Sequence, residues 1–130
     1  MGDVSHILYL EGIKLFNSRN FFEAHEVLED VWRPARNPER KFLQSLIQVA
    51  VALHHHSRGN LVGARSLIAR ATRNLEPYPE KFGGIDLRVL RKSLQRWSKA
   101  LAESRPAPPH FKIKVQARNE NRRGRGGRRV

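Results

Sequence analysis

Five stretches of the chain carry apolar residues at the three-to-four-residue spacing of a helix, each bounded by polar or Pro/Gly-rich breaks. The first is expected from a cap at Asp3 to about Ser18, with Ile7, Leu8, Leu15 and Phe16 buried. The second is Asn20 to Trp32, with Asn20 as cap. Ala24, Leu28 and Val31 share one side with Phe21 and Trp32 beside them, and Glu23 and Asp30 lie opposite. Pro34 ends that helix, and Asn37-Pro38 opens a third over about 38–57, apolar nearly all round and so central. Gly59 stops it. Asn60 caps a fourth helix, whose Leu61, Ala64, Leu67, Ile68, Ala71 and Leu75 face inward. After a Pro/Gly-rich loop, Glu76 to Ile85, Asp86 caps a fifth helix with Leu87, Leu90, Leu94, Trp97 and Leu101 in register, which Pro106, Pro108 and Pro109 terminate.

A period of 40 runs through this pattern: Asn20, Phe21, Ala24, Leu28 and Val31 match Asn60, Leu61, Ala64, Ile68 and Ala71. The Gly12…Ala24…Leu28 spacing also looks like one unit of a tetratricopeptide repeat. The expected fold is therefore all-α, a compact bundle of about five helices arranged as two stacked helical hairpins plus a covering C-terminal helix. What fails to repeat is informative. His25 and Glu29 become Arg65 and Ala69, so packing of the hairpin does not by itself require the polar pair.

Composition adds a boundary. Of the net charge of +13, residues 105–130 carry nine Lys or Arg against one Glu. The expected division is a helical domain over 1–104 and a flexible tail over 105–130, Pro-rich and then Arg/Gly-rich. The alternation in Phe111–Val115 is that of a short strand or a partner-binding motif. Arg122, Arg123, Arg125, Arg128 and Arg129 suit contact with the phosphates of RNA or DNA, against the plainer reading of a solvated end that keeps the protein soluble. The absence of cysteine excludes disulfide and thiolate chemistry. No apolar run is long enough to span a membrane and no signal-peptide pattern opens the chain, so a cytoplasmic protein without a membrane partner is expected.

The candidate chemistry lies on the second and third helices. His25 and Glu29, at i and i+4, can converge on one ion or bond each other. Gln44, Gln48 and His55 fall within about 40° of one another on the third helix by helix geometry. Polar groups in so apolar a helix need partners, and His25, Glu26 and Glu29 would supply them if that stripe faces the second helix. His25, Glu29 and His55 would then ligate one divalent transition metal (Zn, Mn or Fe), Glu26 would be the general base, and Gln44, Gln48 and Trp32 would line the site. The competing reading is a polar network that only fixes how the helices register. His54 and His56 point about 100° to either side of His55 and are read as packing residues.

FNSRNFFEAHEVLEDVW (Phe16–Trp32), FLQSLIQVAVALHHHSRGN (Phe42–Asn60) and FGGIDL (Phe82–Leu87) resemble the all-helical domain of unknown function numbered three hundred and nine, over about residues 5–103. Members are often labelled predicted metal-dependent hydrolases. The resemblance carries over Phe22, Ala24, His25, Glu26, Leu28, Glu29 and Trp32 from the second helix, and Gln44, Gln48, His55, Arg58, Gly59 and Asn60 from the third and its turn. Ser45 departs from the family's usual Gly. Two functions follow as expectations: a metal-dependent hydrolase, or a non-enzymatic helical adaptor whose tail contacts nucleic acid and whose polar cluster is structural.

Overall fold

In the computed structural model, which describes residues 3–116, the chain forms α1 (Asp3–Asn17), α2 (Phe21–Trp32), α3 (Glu39–Ser57), α4 (Leu61–Leu75) and α5 (Leu87–Ala102), with a hairpin of β1 (Lys81–Phe82) and β2 (Ile85–Asp86) before the last helix. The fold is all-α as expected, and α1 packs on α2, α2 on α3, α3 on α4 and α4 on α5. The third helix is the centre, burying Phe42, Leu43, Leu46, Val49, Ala50, Ala52 and Leu53. Ser45 is also fully buried, and its hydroxyl donates to the Lys41 carbonyl at 3.0 Å, so the departure from Gly is accommodated inside the helix.

The two helical hairpins share their turn as well as their apolar pattern. In the first, the amides of Arg19 and Asn20 donate to Phe16 and Leu15; in the second, those of Gly59 and Asn60 donate to His56 and His55. Arg19 and Gly59 hold the left-handed position, at φ 65° and 80°. The Gly12…Leu28 spacing has a physical basis. A Cβ on Gly12 would lie 2.7 Å from Leu28 Cγ and Cδ2, so glycine lets α1 and α2 approach.

Some local expectations are corrected. Asn60 caps α4 by accepting from Gly63 N at 2.9 Å and Asp86 caps α5 through Arg88 N at 3.0 Å, but the Asn20 side chain makes no cap bond. In α1 the inward residues are Tyr9, Ile13 and Phe16, while Ile7 is 64% exposed. The apolar positions of α1 lie on more than one face, so spacing alone did not select the inner one. Leu61 likewise faces outward.

The loop of 76–85 contains the hairpin. Phe82 pairs with Ile85 across Gly83 and Gly84, which sit at φ 60° and 75° as a two-residue type I′ turn demands. Gly83 is wedged against α1 and α3: a Cβ there would stand 2.7 Å from Phe42 Cε2 and 2.9 Å from the Tyr9 hydroxyl oxygen. Residues 105–116 lie on the helices. The Asn17 side chain donates to the Ile113 carbonyl at 2.8 Å and accepts from its amide at 2.7 Å. Val115 then bridges to Ile85, extending the hairpin by one pairing. The Arg/Gly part of the segment, 117–130, lies outside the described residues.

Candidate functional site

The polar residues of α2 and α3 are placed by helix phase, and the neighbours they meet divide them. His25, beside the apolar arc of α2, turns Nδ1 to the Phe22 carbonyl at 3.1 Å and Nε2 to Glu29 Oε2 at 3.4 Å. Both ring nitrogens thus face oxygen atoms of α2 itself. Glu29 also meets Arg33 at 3.6 Å, and Arg33 bonds Asp30 at 2.7 Å, so the pair belongs to a ladder along the outside of α2. The side chains of His25 and Glu29 are 20% and 35% exposed, which makes this a rim contact.

The α3 stripe faces the other way. Gln48 Oε1 accepts from Asn74 Nδ2 of α4 at 3.1 Å. His55 Nδ1 lies 3.4 Å from Asn60 Nδ2, at the start of α4. Gln44 and Glu26 are exposed. The expected set of His25, Glu29 and His55 is thus not brought together around shared space: the first two belong to the α2 rim and the third to the α3–α4 turn. It is His54 that approaches α2, its ring centroid 5.4 Å from that of Phe22, which in turn is 5.3 Å from His25. Among the described residues no three His, Cys, Asp or Glu side chains group closely enough to hold a metal ion.

Trp32 does not line a site with His25. Its ring carries the Arg40 guanidinium at 4.0 Å, and Arg40 donates to the carbonyls of Trp32 and Arg33, each at 3.0 Å. Arg40 thereby satisfies the C-terminal end of α2. Periodicity gave no sign of Arg40, nor of Arg91, which holds the end of α4 through the carbonyls of Leu75 and Tyr78 at 2.8 and 2.7 Å. Long cations near a preceding helix end were the available signal.

A well-defined concavity lies elsewhere. A groove of about 660 Å³ opens between the first turns of α1, the α2–α3 connection and the hairpin, walled by Tyr9, Val31, Phe42, Leu43, Phe82 and Val115. The Tyr9 hydroxyl beside it donates to the Gly83 carbonyl at 2.6 Å, and burial pushes its pKa well above the ordinary tyrosine value. None of the residues expected to form the site lines this groove. The five tail arginines, Arg122, Arg123, Arg125, Arg128 and Arg129, lie outside the described residues.

Residues 9–67 match the family described as a domain of unknown function (DUF309). An uncharacterized protein of Aquifex aeolicus (strain VF5) is 35% identical over 81 residues, 62% of this chain and 24% of that protein. The uncharacterized protein YpuF of Bacillus subtilis (strain 168) is 40% identical over 73 residues, 55% of this chain and 41% of YpuF. The matched region thus spans less than half the length of either relative.

Proposed function

We propose, from the premise that residues 9–67 form a domain of the DUF309 family, that this chain is a non-enzymatic helical adaptor contacting nucleic acid through its basic C-terminal segment. One observation carries the first half of this reading. Gln48 is taken by Asn74, His55 adjoins Asn60, and His25 lies between the Phe22 carbonyl and Glu29. Polar groups paired in this way fix the register of neighbouring helices. The second half rests on charge: nine cations against one acid in residues 105–130 suit sequence-independent phosphate contact. No helix among the described residues is long and apolar enough to cross a membrane, and the cytoplasm is the compartment we assign.

The test is binding of the full chain to a fluorescein-labelled 20-nucleotide RNA across a salt series. The reading expects affinity to fall steeply with salt and to weaken when Arg122, Arg123, Arg125, Arg128 and Arg129 are replaced by Gln. Binding indifferent to salt, or equal in the two proteins, would overturn it.

A second reading, hydrolysis assisted by a divalent Zn, Mn or Fe ion with Glu26 as base, has one observation in its favour. The contact of His25 Nδ1 with the Phe22 carbonyl is the arrangement that frees Nε2 for a ligand, and Nε2 lies beside Glu29. Two donors fall short of the three protein ligands usual at a catalytic zinc. With His55 beside Asn60, the residues present do not fit that ion and no step is derived through it.

A further inference from the structure

Charge in the folded part is segregated by helix. The second helix carries four acids and no Lys or Arg, whereas α4 and α5 together carry eight Lys or Arg and no acid. On α5, Lys92, Arg96 and Lys99 are exposed and fall within about 60° of one another by helix geometry. None of the three is in an ion pair among the described residues. Arg88 continues the row but is engaged by Asp86 at 3.0 Å.

Arg96 also lines a notch of about 180 Å³ between α5 and the strap 108–111, with Ser93, Trp97 and His110 among its walls. The notch is built. Asn17 pins the chain just beyond the strap, at Ile113, and His110 lies between Phe21 and Trp97 with ring centroids 5.6 and 5.5 Å away. Two of its walls hold buried polar atoms with no hydrogen-bond partner, Trp97 Nε1 and His110 Nδ1, and Trp97 is only 1% exposed. A buried indole N–H without an acceptor is costly. The Arg96 guanidinium and the Trp97 indole N–H only donate, and the Ser93 hydroxyl and one tautomer of the His110 imidazole can donate beside them, a set that suits an oxyanion.

We propose that this notch seats a phosphate group of a nucleic-acid backbone, which then follows the Lys92–Arg96–Lys99 row along α5. The inference rests on the ligand class proposed above but assigns it to the folded domain, independently of the tail arginines. Burial, with the positive charge of Arg19 and His56 nearby, holds the pKa of His110 below its ordinary value, as expected in cationic surroundings. A membrane surface is the weaker partner. Insertion needs a free apolar face, and α5 has turned its own, Leu90, Leu94 and Trp97, into the core. An acidic protein is weaker too, since protein interfaces are depleted of Lys and centred on apolar or aromatic anchors, which the row lacks.

The test follows the indole N–H resonances of the full chain, assigned with a Trp32→Phe variant, on addition of the 20-nucleotide RNA. The expected result is a shift of the Trp97 signal and none of Trp32. The Trp97 shift should persist in the tail-arginine variant. It should vanish in Lys92→Glu/Arg96→Glu/Lys99→Glu, whose salt slope falls by about 2 at roughly 0.7 per lost contact on a single strand. RNA binding without a Trp97 shift overturns the seat and leaves the adaptor reading standing; no RNA binding removes both. A shift with inorganic phosphate but none with RNA assigns the notch to a free oxyanion and overturns the backbone assignment. Binding to phosphatidylserine vesicles in place of RNA overturns it as well.

Discussion

Gln48 of α3 and Asn74 of α4 are joined side chain to side chain at 3.1 Å, so Gln48 in the polar stripe of the central helix is turned toward α4, its partner in the second helical hairpin. Removing one partner strands the other in a half-buried position. Asn74→Leu is expected to destabilise the fold by about 1–2 kcal/mol. Gln48→Leu/Asn74→Leu together should cost less than the two single changes summed. A urea-unfolding double-mutant cycle reads the coupling, expected at about 1 kcal/mol; additive effects would show that the bond contributes nothing.

The rim position of His25 and Glu29 predicts a small effect of losing both. His25→Ala/Glu29→Ala should lower stability by less than about 1 kcal/mol, the range of a partly exposed i, i+4 pair. A loss of about 3 kcal/mol, which a broken buried pair would give, would place them in the core instead.

The repeated turn predicts opposite signs at equivalent positions. Arg19→Gly should stabilise by about 1 kcal/mol, because arginine at φ 65° bears a Cβ that glycine lacks. Gly59→Ala, at φ 80°, should destabilise by a similar amount. Gly83→Ala should cost more, about 2 kcal/mol or above, since the new methyl group meets Phe42 and the Tyr9 hydroxyl as well as a positive φ. Thermal midpoints of the three variants test the order.

His110 predicts the direction of one pH effect. Its folded-state pKa lies below the ordinary histidine value, so on acidification the unfolded chain takes up the proton first. Its contribution is therefore complete above about pH 6.5 and is lost as pH falls through the folded-state value. Between about pH 7.5 and pH 5.5 the thermal midpoint of the wild type should fall further than that of His110→Phe, which keeps a ring against Phe21 and Trp97. Parallel curves for the two proteins would remove His110 from the pH dependence.

The helices could be read in the sequence wherever periodicity and capping agreed. Asn60 and Asp86 start α4 and α5 as expected, and the inward face of α2 is the anticipated one of Phe21, Ala24, Leu28 and Val31. The hairpin escaped because two-residue strands have no period; the Gly83-Gly84 pair was its sequence signal. Helix phase correctly grouped Gln48 and His55 to one side, yet phase does not name the neighbour. That was decided by Asn74 and Asn60, whose part in the network nothing in their spacing announced. The notch at Trp97 was hidden for a similar reason, since His110 reaches it from a segment without periodicity.

Metal uptake decides most directly whether the polar positions of α2 and α3 act apart. Untagged full-length protein is dialysed against Zn, Mn or Fe and its bound metal counted. Separate structural contacts predict no stoichiometric metal, with His25→Ala and His55→Ala indistinguishable from the wild type. A full equivalent that disappears in both variants would contradict the adaptor reading and place the two histidines on one ion.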